Sequence, residues 1–208
     1  MKPRTPLRAA VGLALPALLL AGCAAPRLDA QWTDPQAAGQ SLRGSKVMVA
    51  CEAYEPVVKR LCLDELSAQV TAAGAQPVLA PDAPSATPGR PVPDEQLLAS
   101  ARLTGARGVL SSTMTMAAGG SAPGSGVSIG IGGFGGGRHV GGGIGVTVPV
   151  GGSETVEAYT ANSKLIDVSS GRLLWTAKAT SPASKDVAAQ VQQLSRTVFE
   201  SARKSGLF

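Results

Sequence analysis

Histidine and aromatic residues are scarce in this sequence. Phe, Trp and Tyr together make up 3% of the 208 residues, and His139 is the only histidine. A catalytic triad needs a histidine held rigidly against a nucleophile and a carboxylate, whereas His139 lies beside Arg138 among glycines. The chain also lacks a second histidine and any C-x-x-C pair, which excludes the common zinc-site patterns. We therefore predict no metal and no cofactor, and interpret His139 as an exposed loop residue.

The sequence also lacks an apolar run of the about 20 residues that a membrane-spanning helix needs. Its apolar N-terminal run, Ala9–Leu20, has a length typical of a signal-peptide core and ends in Leu20-Ala21-Gly22-Cys23. Three cations precede the run: Lys2, Arg4 and Arg8. This pattern has the form of a bacterial lipobox, in which the cysteine is acylated and becomes the first mature residue. We predict a signal peptide over 1–22 and lipidation of Cys23, with a secretory signal and an incidental cysteine as the alternative.

The positive charge of the chain belongs partly to this signal. The net charge is +5, and losing the three cations of residues 1–22 leaves +2. The mature chain therefore lacks the strong positive charge that would favour a nucleic-acid partner. Ala24, rather than aspartate, follows Cys23, which is similar to the sorting signal of outer-membrane lipoproteins. We expect a periplasm-facing protein whose acyl chains hold it stably in the outer membrane, with an envelope protein as its partner and an oligomeric state that the sequence does not define.

Apolar periodicity predicts one domain over 46–208, preceded by a tether over 23–45 in which Trp32 is a docking point. The predicted strands cover 46–51, 76–80, 108–116, 154–168 and 172–181. The predicted helices cover 54–73, 94–104 and 184–205, the last capped by Ser184. The order is β-α-β-α-β-(Gly-rich hairpin)-β-β-α, which favours a mixed β-sheet with helices packed on it, in the α/β (α+β) class.

A glycine-rich insert interrupts the domain over 119–152, where 16 of 34 residues are glycine. Apolar residues alternate over 127–131 and again over 144–150, a pattern that indicates two hairpin strands. Because glycine weakens strands and their register, partial disorder remains an equal alternative. The insert also contains a G-x-G-x-x-G match at 130–135. We reject it as a dinucleotide site because no helix follows it.

Cys51 and Cys62 are the only cysteines other than Cys23. An even pair in an oxidising compartment favours a disulfide. Both residues also fall within apolar patterns, so two buried free thiols are the alternative.

Several motifs resemble those of a family of small, uncharacterised proteobacterial outer-membrane lipoproteins. They include a Trp-x-x-Pro at 32–35, the stretch Asp167-Val-Ser-Ser-Gly171-Arg-Leu-Leu-Trp175, and a closing Lys204-Ser-Gly-Leu-Phe208. The order of strands and helices is also similar to the periplasmic domains of the curli secretion lipoprotein and of lipoproteins that activate penicillin-binding proteins. The resemblance implies an envelope protein and brings no catalytic residues.

These observations leave three hypotheses about function. The first is a non-enzymatic lipoprotein that binds a partner or serves the envelope structurally. The second is an oligomer-forming lipoprotein, a pore or secretion accessory, that uses the Gly-rich hairpin. A membrane barrel needs aromatic belts, and the insert supplies only Phe134. The third is a cell-wall enzyme, which we disfavour because no nucleophile and base stand out; we expect the protein not to be an enzyme.

Overall fold

The computed structural model describes residues 25–37, 39–82, 89–117 and 156–208. These residues form a six-stranded sheet with helices on both faces, which confirms the predicted fold class. The predicted order of strands and helices broadly fits, with β1 as an additional first strand. The strands are β1 (Arg27–Thr33), β2 (Lys46–Ala53), β3 (Gln76–Leu79), β4 (Gly108–Met116), β5 (Tyr159–Asp167) and β6 (Leu173–Thr180). The helices are α1 (Pro56–Ala72), α2 (Asp94–Thr104) and α3 (Val187–Lys204), and a short 3-10 turn (Pro35–Ala37) follows β1.

The strands lie in the order β1-β6-β5-β4-β2-β3. Strand β2 pairs in parallel with β3 and β4, and the remaining neighbours are antiparallel. One row of paired residues crosses five strands: Ala53, Met114, Ala161, Ala179 and Leu28. The carboxyl ends of β2 and β4 and the start of β1 therefore lie just beyond this row. We call this the Ala53 end of the sheet.

Two hydrophobic clusters hold the layers together. On one face, Val47, Val49 and Cys51 of β2 pack in the cluster that contains the buried stripes of α1 and α3. On the other face, Met48 and Ala50 pack in a smaller cluster with α2. Because β2 is covered on both faces, its sequence is a nearly continuous apolar run, as expected of a buried parallel strand.

The helix ends follow ordinary capping chemistry. Gly105 ends α2 in the left-handed region, with φ 69°, a conformation that glycine adopts without steric cost. The start of α3 differs from the prediction. Its cap is Asp186, which accepts a hydrogen bond from the Ala189 amide at 2.9 Å, while Ser184 forms an isolated bridge with Glu157.

The structure differs from the predicted tether over 23–45. Strand β1 extends the sheet by pairing with β6, and Leu42 is buried, with its amide donating to the Leu207 carbonyl at 2.9 Å. Trp32 lies within β1 and stays 47% exposed, so it is not a docking point. The residues of β1 are almost all exposed. Its backbone hydrogen bonds, not a buried apolar face, place it in the sheet.

The signal peptide over 1–22, Cys23, His139 and the Gly-rich insert over 119–152 lie outside the described residues. The insert joins the domain at the Ala53 end, because Ala117 follows β4 and Val156 precedes β5. Assembly through the insert therefore stays a prediction. Among the helices that the structure describes, none is long and apolar enough to span a membrane.

Cys51 and Cys62 form a disulfide that links β2 to α1. Both residues are buried, with at most 1% of their surface exposed. Of the two states that the sequence leaves open, the structure has the bridge. A closed loop of this length stabilises a fold by about 2–3 kcal/mol in the chain-entropy model.

We predict that the oxidised mature protein has no reactive thiol under denaturing conditions, because Cys51 is bonded to Cys62 and the sequence predicts acylation of Cys23. Thiol counting with a maleimide and mass spectrometry checks this. The matched control, Cys62→Ser, should expose one thiol, that of Cys51. Two reactive thiols in the oxidised wild-type protein would contradict the bridge.

Candidate functional site

A cleft of about 170 Å³ lies between α2 and the sheet. Val92 and Leu97 form its apolar side. Its polar side comes from four strands: Glu52, Ser111, Thr113, Asn162, Lys164 and Thr176. The volume is smaller than the roughly 300–1,000 Å³ of a typical small-molecule pocket. The cleft alone therefore suits a small polar group or one side chain of a larger partner.

The cleft opens onto a part of the sheet that helix α2 does not cover. Helix α2 packs mainly on β2 and β4. The same face continues across β5 and β6, where Lys164 pairs with Thr176 and Asn162 pairs with Lys178. We call these four residues, together with the cleft, the open sheet face. Asn162 and Lys178 are exposed, so a partner could reach their amide and ammonium groups directly.

The two charged residues that line the cleft, Glu52 and Lys164, each pair with a residue outside its lining. The Lys164 ammonium lies 2.5 Å from the Asp94 carboxylate, which fixes the first turn of α2 to β5. The Lys59 ammonium lies 3.3 Å from Glu52 and 3.2 Å from Asp82. Burial alone would lower the pKa of Lys59, but these two carboxylates outweigh burial and raise it. Such paired groups orient a ligand through hydrogen bonds; they do not supply an unpaired base.

The Ser111 hydroxyl group lines the cleft and is buried there. Its oxygen is buried and makes no hydrogen bond to the part of the chain that the structure describes. On the opposite face of the sheet, the neighbouring Ser112 accepts from Ser163 at 2.9 Å. Ser111 is thus available to donate to a group that enters the cleft.

Tyr159 is a poor candidate for acid–base chemistry. Burial, together with the Glu55 and Glu157 carboxylates, raises the pKa of Tyr159 to about 12. Its hydroxyl donates to Glu157 at 3.1 Å. The phenol therefore stays protonated at neutral pH and serves as a structural hydrogen-bond donor.

The residues singled out in the sequence do not converge on this cleft. The disulfide lies on the other face, because Cys51 points opposite to its neighbour Glu52 in β2. On α1, the Arg60 guanidinium lies 3.1 Å from the Asp64 carboxylate, one helical turn away, and both side chains are exposed. Among the described residues no group of three or more histidines, cysteines or carboxylates could hold a metal ion. His139 lies outside those residues.

The cleft residues were not predicted from the sequence, although one signal is present. Asn162 and Lys164 alternate with the buried Ala161, Ser163 and Leu165 in β5. This alternation indicates a strand with one polar face. It does not indicate how far a helix covers that face, and that coverage is what creates the cleft.

The Asp167–Gly171 motif forms the tight turn between β5 and β6. The Asp167 carboxylate accepts hydrogen bonds from the Ser169 hydroxyl at 2.5 Å and from the Ser170 amide at 2.8 Å. Burial alone would raise the pKa of Asp167, but these hydrogen bonds hold it below its ordinary value. Gly171 completes the turn with φ 70°, a region that favours glycine. The motif is structural.

A second pair ties this turn to the start of the chain. Arg172 forms an ion pair with Asp34, which directly follows β1. The Asp34 carboxylate also accepts from the Gln36 amide at 2.8 Å. That hydrogen bond is the largest cause that holds the pKa of Asp34 below its ordinary value, with Arg172 adding to it. The pair therefore supports the docking of β1.

Comparison with known proteins finds similar solved structures but no sequence family. No family model and no curated protein matches the chain. A PelC dodecamer from Paraburkholderia phytofirmans is similar with a TM-score of 0.46 and 16% identity, over 81% of this chain and 94% of that chain. A single-substitution variant of that PelC gives a TM-score of 0.47 and 17% identity, over 83% and 94%.

The third structure is the lipoprotein GNA1162 from Neisseria meningitidis. It has a TM-score of 0.37 and 17% identity, over 68% of this chain and 83% of that chain. At this degree of likeness the solved structures do not assign a function to the chain. The similarity to the curli secretion lipoprotein and to the activators of penicillin-binding proteins stays a prediction.

We predict that Asp167→Ala lowers the free energy of unfolding at pH 7 by about 1–3 kcal/mol, because it removes the charged acceptor of the Ser169 and Ser170 hydrogen bonds. The folded pKa lies below the unfolded value of about 3.9. The charge-dependent part of this stabilisation is thus present above about pH 4 and is lost as the pH falls through the folded pKa.

Urea unfolding at pH 7 and at pH 3 measures both effects. Asp64→Ala is the matched control, because its exposed pair with Arg60 should contribute at most about 0.5 kcal/mol. An equal loss in both variants at pH 7 would contradict the role of the turn.

Proposed function

We propose that this chain is a lipoprotein of the outer membrane, held by an acylated Cys23, whose domain faces the periplasm. The single observation that carries the proposal is Leu20-Ala21-Gly22-Cys23 at the end of a short apolar run with a basic start. The run has the length of a signal-peptide core and is too short to span a membrane. Acylation converts that exported start into a lasting anchor.

The disulfide supports the same compartment. Disulfides persist in oxidising environments such as the periplasm and are rare in the cytosol. Cys51 and Cys62 are the two cysteines that acylation does not use, and they are bonded to each other. All three cysteines of the sequence therefore have a role in an exported lipoprotein.

The proposed role is non-enzymatic binding of an envelope partner through the open sheet face. Lys164 is held by Asp94, and Glu52 is held by Lys59, so these groups are positioned without being reactive. The exposed Asn162 and Lys178 and the unpartnered Ser111 hydroxyl add hydrogen-bonding groups. This arrangement suits recognition of a polar surface.

Acylation is tested by expressing the full-length chain in a Gram-negative bacterium that is fed an alkyne fatty acid. We predict a labelled product that begins at Cys23, and a precursor without label in Cys23→Ser. The double variant Cys51→Ala/Cys62→Ala is the matched control, since it should keep the label. Label on Cys23→Ser, or an uncleaved wild-type chain, would contradict the proposal.

Membrane separation on a sucrose gradient tests the location. The wild-type protein should sediment with the outer membrane, whereas Ala24→Asp should stay in the inner membrane if the residue after Cys23 sorts the protein. Recovery of the wild-type protein in the inner membrane would contradict the outer-membrane location, while the acylation of Cys23 would still stand.

A further inference from the structure

The chain between the proposed anchor and the folded domain is very short. Arg27, where β1 begins, is only four positions beyond Cys23. Even fully extended, this stretch spans about 14 Å. Strand β1 must therefore begin close to the lipid headgroups, and the domain cannot move far from the bilayer.

The start of β1 lies at the Ala53 end of the sheet. Leu28 shares the row of paired residues that ends at Ala53, and Arg27 lies one residue beyond that row. Tyr54 follows Ala53 directly, and Met116 lies two residues beyond Met114. An acylated Cys23 thus brings this end of the sheet towards the membrane.

Large apolar side chains are exposed at this end. Tyr54 is 70% exposed, Val57 in the first turn of α1 is 61% exposed, and Met116 is 55% exposed. What the three residues share is their position at the end of the sheet where β1 begins. Tyrosine in particular suits a membrane interface, because its ring is apolar and its hydroxyl remains hydrated.

We propose that Tyr54, Val57 and Met116 form a membrane-docking surface that lies against the bilayer in which Cys23 is anchored. The occupant of this surface is a lipid headgroup layer, because only four residue steps join Cys23 to Arg27, where β1 begins at this same end of the sheet. This inference rests on the acylation proposed above. It adds an orientation, with the Ala53 end towards the lipid and the opposite end, near Leu173, towards the periplasm.

The contact is apolar rather than electrostatic. Arg27 at this end is paired with Asp29 at 3.1 Å, and Glu55 and Glu157 add two carboxylates, so the described residues of this end form no basic patch. Docking by apolar side chains should therefore change little with salt, unlike a basic patch on anionic lipid.

The test uses the acylated mature protein in vesicles of phosphatidylethanolamine and phosphatidylglycerol that carry brominated acyl chains. A Trp32→Phe background removes the exposed native indole. In this background we compare Tyr54→Trp with Leu103→Trp, a matched control, since Leu103 is 90% exposed on α2. We expect brominated lipid to quench Tyr54→Trp and shift its emission to shorter wavelength, while Leu103→Trp stays unquenched and accessible to acrylamide in water.

Two outcomes would overturn the docking surface, and they are distinguishable. Mass spectrometry of the same sample reports the acyl groups on Cys23. If Cys23 is acylated and both reporters are quenched equally or not at all, the orientation is wrong while the anchor stands. If Cys23 carries no acyl group, the proposed function and the docking surface fail together. Unchanged quenching of Tyr54→Trp at high salt supports an apolar contact, whereas its loss at high salt contradicts one.

Discussion

The pairing of β1 with β6 is the constraint on which the rest of the arrangement depends. It draws Arg27–Thr33 into the sheet, and the ion pair between Asp34 and Arg172 fastens the next residue to the β5–β6 turn. Without this pairing, the domain would begin at β2 and hang on a flexible connection of about twenty residues. With it, the fold begins four residues after Cys23. The distance between the proposed anchor and the domain is therefore short.

The same pairing gives the two ends of the sheet different surroundings. The Ala53 end carries the start of β1, the exposed Tyr54 and Met116, and both junctions of the Gly-rich insert. The open sheet face, with Asn162 and Lys178, runs along the side of the domain. A lipoprotein oriented in this way would keep its polar binding face in the periplasm while its apolar end meets the lipid.

Much of the fold could be predicted from the sequence, because buried periodicity is visible in it. Helix α2 and strand β4 have their predicted bounds, and the stripe of α3 through Val191, Leu194 and Val198 is buried. Strand β1 could not be predicted in this way. Its side chains are exposed, so the backbone hydrogen bonds that hold it leave no apolar pattern. The cleft could not be predicted for a related reason, since strand alternation indicates a polar face but not how much of that face a helix covers. The sequence also left the disulfide undecided, because spacing alone does not orient Cys51 towards Cys62.

The central claim is that an acylated Cys23 holds the folded domain directly against the bilayer. Neutron reflectometry of the acylated protein on a supported bilayer measures this most directly. The account predicts that protein density begins at the headgroups, with no water layer wider than the roughly 14 Å that the chain from Cys23 to Arg27 can span. A hydrated gap of several times that thickness between headgroups and domain would contradict it.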